Sequence, residues 1–350
     1  VWAQEGGGDL EVTCPAGGCA EGLQMPKVII GCWQLLERNK NKDHAVKALQ
    51  AYAEAGFTAF DTADIYGPSE GILGEFRRKW AAANPGAPPL RFYTKYVTDA
   101  PGAQEADRIN AQSRRNLGVE ALDMVQFHWW SLKKDGSATT FLKAGRELTR
   151  LKGEGKILHL AGCNMDTTHL KLLVDDGMAI ESNQVQYSMV DRRPEVSLLK
   201  YCKERGIKLA VFGVVAGGIL SEEFLGLSQS EVKGRLRSVS QRMYWSSLQR
   251  WSTSWDLFQK LLEVMKEIGD KQKPRAPIAA VACAWVLRQM KDKGAGGSLI
   301  IGIRDATHLE EHKALLRDEL TLSDLDMWQI QSVLGHGKRP TTDIWYEERG

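Results

Sequence analysis

The sequence predicts a (β/α)8 barrel, and three observations carry the prediction. Short apolar strands alternate with helical stretches eight times, centred near residues 30, 59, 93, 126, 160, 184, 210 and 300. The strands are apolar on both faces, as parallel strands covered by helices must be. Ionisable residues gather where strands end, at the face where such a barrel carries its chemistry. A doubly wound open sheet is the competing architecture. It is disfavoured because no Gly-x-Gly-x-x-Gly follows a strand; Gly153-Glu154-Gly155 follows a helix, and Gly294-Ala295-Gly296-Gly297 reads as a loop.

Residues 1–25 carry three successive glycines and few apolar side chains, and read as a flexible leader or irregular cap. Val1-Trp2-Ala3 is compatible with the stub of a removed organelle-targeting peptide. From Lys27 the pattern is regular. Residues 28–33 form a strand, and Asp43 to Ala55 a helix with Asp43 as its N-cap and Gly56 as its stop. Strand 57–61 is followed by helix 70–83, a loop with three prolines, and strand 91–95. Helix 103–117 is closed by Gly118, and strand 124–128 leads to helix 141–152. Strand 157–163 precedes helix 168–175, stopped by Gly177; strand 182–186 precedes helix 195–205, stopped by Gly206. Strand 208–212 is followed by a long loop insertion at about 221–255, then helices 256–268 and 278–289, strand 299–302 and helix 306–316. The expected organisation is one barrel domain over 26–334, ending in a C-terminal helix, with a polar tail over 335–350 that contains Trp345-Tyr346.

Composition narrows the function. The charge is +2, from 46 basic and 44 acidic residues, without the basic excess of a dedicated nucleic-acid binder. No stretch approaches the roughly 18–20 apolar residues of a membrane span. The six cysteines include no Cys-x-x-Cys and no zinc-like spacing, so no metal site is expected. Only Cys14 and Cys19 are close enough in sequence to suggest a redox bridge. A soluble protein of a reducing compartment is expected, in the cytoplasm or an organelle stroma such as a plastid's. Nothing in the sequence specifies an oligomeric state.

The strand ends present Asp61 and Tyr66, then Lys95, His128, Cys163 with Asn164, Gln184 with Tyr187, and Phe212. Each has an ordinary explanation alone. A strand-end lysine is usually solvated, a buried histidine usually a satisfied core residue, and Asn or Gln a partner for backbone groups. Four ionisable types converging from neighbouring strands are a different matter. A nearby lysine favours the phenolate of a tyrosine and lets it act as an acid at neutral pH. Asp61 can orient Lys95, and His128 can donate to a developing oxyanion beside Tyr66. The set suits protonation of a carbonyl oxygen as hydride reaches its carbon. It contains no nucleophile paired with a base.

Gly31-Cys32-Trp33-Gln34, Phe60-Asp61-Thr62-Ala63-Asp64-Ile65-Tyr66-Gly67, Tyr93-Thr94-Lys95 and Asp123-Met124-Val125-Gln126-Phe127-His128 resemble the successive signatures of the aldo-keto reductase superfamily, from about Lys27 to Val333. The resemblance implies a barrel that uses NADPH without a Rossmann fold, in preference to NADH, and a small carbonyl substrate. Tyr66 is then the general acid, Lys95 and Asp61 its tuners, and His128 the carbonyl orienter. It also implies cofactor contacts from Trp33, from Cys163 (where serine is usual), Asn164 and Gln184 on the carboxamide, and from Phe212 and Gly213 beside the nicotinamide. Gly302, Arg304, His308, Glu311 and His312 fall in the segment that holds the adenosine phosphate. Arg304 can pair with a 2′-phosphate, and His308 and His312 replace the usual glutamine and asparagine. Trp33, Trp129 and Trp130 suggest an aromatic wall for an apolar substrate, with ordinary packing of large side chains as the alternative. The insertion, rich in arginine and aromatics, suits either a cover over cofactor and substrate or a contact surface. A cofactor-holding regulatory subunit, a role the same barrel plays in potassium-channel β subunits, is the competing function.

Overall fold

The computed structural model describes residues 23–35, 41–100, 102–130, 138–316 and 320–344; the Cys14–Cys19 pair and Trp345-Tyr346 lie outside them. In chain order the elements are β1 (Val28–Gly31), α1 (Lys42–Glu54), β2 (Ala59–Asp61), α2 (Ser69–Ala83), β3 (Arg91–Thr98), α3 (Ala103–Leu117), β4 (Leu122–Trp129) and α4 (Ala138–Gly153). There follow β5 (Ile157–Cys163), α5 (Thr167–Asp175), β6 (Ile180–Gln186), α6 (Leu198–Arg205), β7 (Lys208–Phe212), α7 (Gln229–Arg235), α8 (Val239–Trp251) and α9 (Trp255–Lys271). Last come α10 (Ile278–Lys293), β8 (Gly297–Gly302), α11 (Leu309–Leu316) and α12 (Asp324–Leu334). The eight strands close into a parallel barrel, β8 pairing with β1 from Val28↔Leu299 to Gly31↔Gly302.

Strand alternation sorts the side chains into two populations. One set points outward to the helices, where Phe60, Phe92, Phe127 and Trp129 join the main core. The other fills the barrel with Ile29, Ala59, Tyr93, Met124, Ala161, Ala210 and Ile300, and Leu23 and Met25 pack against this set from the chain before β1. That segment is held by polar groups. The Leu23 amide donates to Glu181 at 3.2 Å, Lys152 donates to the same carboxylate at 2.8 Å, and His159 lies 3.0 Å from it. Burial raises the Glu181 pKa, but His159 and Lys152 overcome it and hold it at about 2. A depressed carboxyl pKa contributes stability above its unfolded value of about 4.3 and loses it as pH falls through the folded value. Glu181→Gln is therefore expected to cost about 1 kcal/mol at pH 7, a figure discounted for partial exposure. The difference from wild type in urea midpoint should vanish as pH falls from about 4 toward about 2.

Several sequence expectations shift. Residues 221–255 do not form a long loop: a 3-10 turn at Glu222–Phe224 is followed by α7 and α8. Ser228 and Ser238 each open their helix with a reciprocal capping box. Helix α1 is capped by Asn41 rather than Asp43, its side chain accepting from the amides of Asp43 and His44 at 2.9 and 3.4 Å. The expected helix 195–205 is broken by a 3-10 turn at Arg193–Glu195 and starts at Leu198. Helix α11 starts at Leu309 because Asp305 first accepts the Thr307 amide in a tight turn. The chain after α12 is stitched to the barrel: the Lys338 amide donates to the Trp251 carbonyl at 2.8 Å, and Asp343 accepts from the Thr167 amide and the Ser197 hydroxyl, each at 2.9 Å.

Candidate active site

Sequence alternation places Tyr93 and Lys95 of β3, Met124, Gln126 and His128 of β4, and Ala161 and Cys163 of β5 on the inner face. Tyr93, Met124 and Ala161 belong to the apolar filling; above them, toward the carboxyl ends, the inner face turns polar. Asp61 ends β2 and organises it. Its Oδ1 accepts from Lys95 Nζ at 2.7 Å, and its Oδ2 accepts from Gln126 Nε2 and Gln184 Nε2, both at 2.7 Å. Gln184 also donates to Gln126 Oε1 at 2.6 Å. The Lys95 ammonium donates a further bond to the Thr62 carbonyl at 2.7 Å and sits 4.9 Å from the centre of the Tyr66 ring.

The electrostatics follow from this packing. Burial works against the charge on Lys95, but Asp61 and then Tyr66 outweigh it and hold the ammonium above the usual lysine range. For Tyr66 burial wins: the phenol is pushed up to about 12, with Lys95 pulling the other way. Lys95 favours the phenolate, as expected, against a larger opposing effect of burial. A phenol at about 12 is protonated at neutral pH, which is the state an acid needs. Across the cleft, His128 Nδ1 lies 3.4 Å from Cys163 Sγ, both side chains being buried. When the thiol donates to Nδ1, the ring proton sits on Nε2, from which the ring can donate to an oxygen.

Of the three tryptophans, the structure separates Trp129 from the others. Trp129 is fully buried and packs edge-on against Phe127 and Phe141, so it forms no part of a substrate wall. The reason is the two-residue period: His128 points in, so Trp129 points out. Trp130 is 46% exposed with its ring 5.4 Å from that of His128, and Trp33 is 45% exposed just past β1. Tyr187 also turns away, donating to Glu195 at 2.8 Å and packing on Trp285.

The residues assigned to a cofactor fall along the strand ends from β5 to β8. Asn164 follows Cys163 in a left-handed conformation (φ 54°), its amide donating to the Gln184 carbonyl at 2.7 Å. Phe212 is half-buried at the mouth, and Gly213 (φ 72°) passes so close to Tyr244 that a Cβ would lie 2.6 Å from the ring. Gly302 and His308 are exposed and Arg304 half-buried after β8; His308 lies 3.3 Å from Glu311. His312 turns inward to the Tyr52 hydroxyl at 2.7 Å, and burial, then His308, lower its pKa to about 4. It is a neutral imidazole and brings no positive charge to a phosphate. Gln126 was not singled out from the sequence, although it stands two residues before His128 and shares its face. Ser240 and Ser247 were also missed. Ser240 donates to Gln34 Oε1 at 3.1 Å and Ser247 accepts from Gln186 Nε2 at 2.9 Å, which fixes α8 over the catalytic end.

The sequence profile of the Aldo/keto reductase family matches residues 27–334. The chain belongs to the aldo/keto reductase family. As a family member it is an oxidoreductase. Aldo-keto reductase str7 of Strobilurus tenacellus is 25% identical over 289 residues, covering 81% of this chain and 79% of that protein. The NADH-specific methylglyoxal reductase of Escherichia coli is 26% identical over 220 residues, or 62% of this chain and 60% of that one. Among solved structures, the glycerol dehydrogenase AKR11B4 from Gluconobacter oxydans superposes with a TM-score of 0.69 at 19% identity, covering 93% of this chain and 98% of its own. An aldo-keto reductase from Klebsiella pneumoniae in complex with NADPH gives 0.67 at 22%, covering 91% and 94%. At such identities the likeness speaks for the barrel. Among the described residues of this aldo/keto reductase no helix is long and apolar enough to cross a membrane, and no cluster of metal-ligating side chains occurs.

Proposed function

We propose that this aldo/keto reductase reduces an aldehyde or ketone to the alcohol, with NADPH as the hydride source and Tyr66 as the proton donor. The observation that carries the reading is the buried Lys95, held between the Asp61 carboxylate and the Tyr66 phenol at the carboxyl end of the barrel. Besides balancing Asp61, a cation there lets the phenol give up its proton when negative charge develops on a carbonyl oxygen. His128, with Nδ1 engaged by Cys163, offers Nε2 to the same oxygen. The exposed Trp33 and Trp130 favour an apolar substituent on the carbonyl.

The residues present suit a reduced nicotinamide dinucleotide. When bound, that group supplies the hydride. Phe212 offers an aromatic face, Asn164 and Cys163 polar atoms for a carboxamide, and Arg304 a cation after β8 for a phosphate. Gln184 is less suited to a carboxamide than the sequence implied, since its amide nitrogen is spent on Asp61 and Gln126. The relatives divide, one being NADH-specific by name and one structure holding NADPH; Arg304 supports NADPH. Arg304→Ala is expected to lower the ratio of kcat/KM for NADPH over NADH at least about tenfold, the worth of one charged hydrogen-bond pair. An unchanged ratio removes Arg304 from the phosphate site.

Consumption of NADPH with a panel of aldehydes and ketones tests the whole. Tyr66→Phe should abolish turnover, by about a thousandfold or more, while NADPH still quenches tryptophan fluorescence. Tight NADPH binding by wild type with no turnover on any carbonyl or alcohol would favour the regulatory reading instead.

A further inference from the structure

Helix α8 differs from every other α-helix of the described barrel: it contains no aspartate or glutamate. Residues 232–255 carry five cations (Lys233, Arg235, Arg237, Arg242 and Arg250) and no acid. Elsewhere cations on the outer helices are matched along their own helix, as in Glu75–Lys79, Lys171–Asp175, Lys266–Asp270 and Arg288–Asp292. No ion pair involves Arg235, Arg237 or Arg242 among the described residues; Arg242 donates to the Arg237 carbonyl at 3.4 Å. Arg235 lies in the field of Glu231 one turn earlier on α7, so the positive charge is matched there and left in excess around Arg237 and Arg242.

The pattern along α8 is as regular as its charge. Tyr244, Trp245, Ser247, Leu248 and Trp251 are buried, while Val239, Arg242, Met243, Ser246 and Arg250 are exposed. The exposed set falls at i, i+3, i+4, i+7 and i+11, which is one stripe of a helix. Val239 and Met243 are 48% and 41% exposed, one turn apart, with arginines on either side. This stripe does not face the cofactor segment. The opposite side of α8 does: a Cβ at Gly213 would strike Tyr244, and one at Gly217 would lie 3.0 Å from the Gln241 amide. Nor is the apolar exposure confined to α8. Of the nine large apolar side chains exposed among the described residues, six (Trp33, Ile65, Trp130, Val196, Val239 and Met243) lie in connections that follow strand ends, so exposed apolar surface is concentrated at the catalytic end.

We propose that the catalytic end of this barrel docks on an anionic lipid surface, with the α8 stripe as the principal contact. Cations interleaved with protruding apolar side chains on one helix face are what such a surface selects: the arginines meet headgroups, and Val239 and Met243 enter the boundary beneath them. An acidic polypeptide would call on the cations alone, whereas a lipid boundary also takes up the exposed Val239 and Met243. If the reductase reading holds, the mouth then faces the apolar phase, and carbonyl compounds dissolved in lipid are its accessible substrates.

The test is sedimentation of the full chain with phosphatidylcholine vesicles, with and without phosphatidylserine. Binding is expected only with phosphatidylserine and should fade as salt is raised. The Arg235→Glu/Arg237→Glu/Arg242→Glu variant should bind at least about tenfold more weakly, as expected for reversing three surface cations. Val239→Ser/Met243→Ser should also weaken binding while leaving its salt dependence in place. Lys260→Glu/Lys266→Glu/Lys271→Glu on α9 reverses the same number of charges away from the stripe, serves as the charge-matched control and should bind as wild type. Circular dichroism confirms that each variant is folded, and turnover of a water-soluble carbonyl should be unchanged in all of them. Equal binding to both vesicles, no binding to either, or binding that survives the triple reversal would each overturn the proposal. So would polyglutamate competing more strongly than phosphatidylserine vesicles. Vesicle binding by a protein without carbonyl turnover would leave the docking surface standing and remove the reductase reading.

Discussion

Lys95→Met is expected to reduce the rate of carbonyl reduction at saturating substrate by about a thousandfold or more. Methionine keeps the stem and deletes the charge. Tyr66 then loses the one cation that opposes burial, and its pKa rises beyond the present value of about 12. The variant should also unfold more easily, because Asp61 is left buried without its counter-charge, a loss of about 3–5 kcal/mol when one partner of a buried pair is removed. These two effects can be separated. Asp61→Asn/Lys95→Met removes both charges, and its urea midpoint should recover most of the loss while its activity does not. If activity returned with stability, Lys95 would be structural.

The same electrostatics predict the pH profile. With the phenol at about 12, the proton donor is present throughout the neutral and moderately alkaline range, so reduction should stay flat until the pH nears that value. Alcohol oxidation, which needs the phenolate, should rise across the same range. A second carboxyl tests this. Burial, only partly offset by the Val97 amide that donates to it at 3.2 Å, pushes Asp64 up to about 7. A reductive profile that falls near pH 7 and becomes flat in Asp64→Asn would transfer the proton-donor role from Tyr66 to Asp64.

What the sequence conveys of this molecule is what depends on local periodicity. Strands 157–163 and 208–212 and helix 103–117 coincide with β5, β7 and α3, since apolar runs and a terminal Gly118 in the left-handed region mark their ends without help from the rest of the chain. Asp61 and Lys95 come together for a related reason: each points inward toward the carboxyl end of its strand, and strict alternation fixes which positions do so. Periodicity fails where two local solutions compete. Asn41 and Asp43 are both good caps, and only the extended backbone at Asn41 decides between them. It also fails where a contact is long-range. Nothing near Gln184 in sequence announces Asp61, 123 residues away, or diverts its amide from the expected carboxamide. Trp129 is a different kind of error, since the alternation that set His128 inward already excluded it.

Packing close to the site is tight enough that one methyl group should matter more than most catalytic changes do for stability. Gly74→Ala is expected to cost about 3 kcal/mol or more, read as a urea midpoint. A Cβ there would lie 2.0 Å from the carbonyl oxygen of Asn116 and 3.1 Å from the carbonyl carbon of Leu117, both backbone atoms at the end of α3. No rotamer relieves a contact with backbone, so α2 or α3 must move. The movement would not stay local. Glu70 of α2 accepts from Asn116 Nδ2 at 2.9 Å and from the Thr94 hydroxyl at 2.7 Å, and Thr94 precedes Lys95 on β3. Turnover per folded molecule should therefore fall as well. Gly71→Ala supplies the comparison on the same helix. That position is exposed and a Cβ would meet nothing within 4 Å. Alanine there should stabilise by about 0.5–1 kcal/mol through its helix propensity. The two substitutions add the same methyl group with opposite expected signs, so equal effects would mean that α2 and α3 do not approach as closely as their backbones indicate.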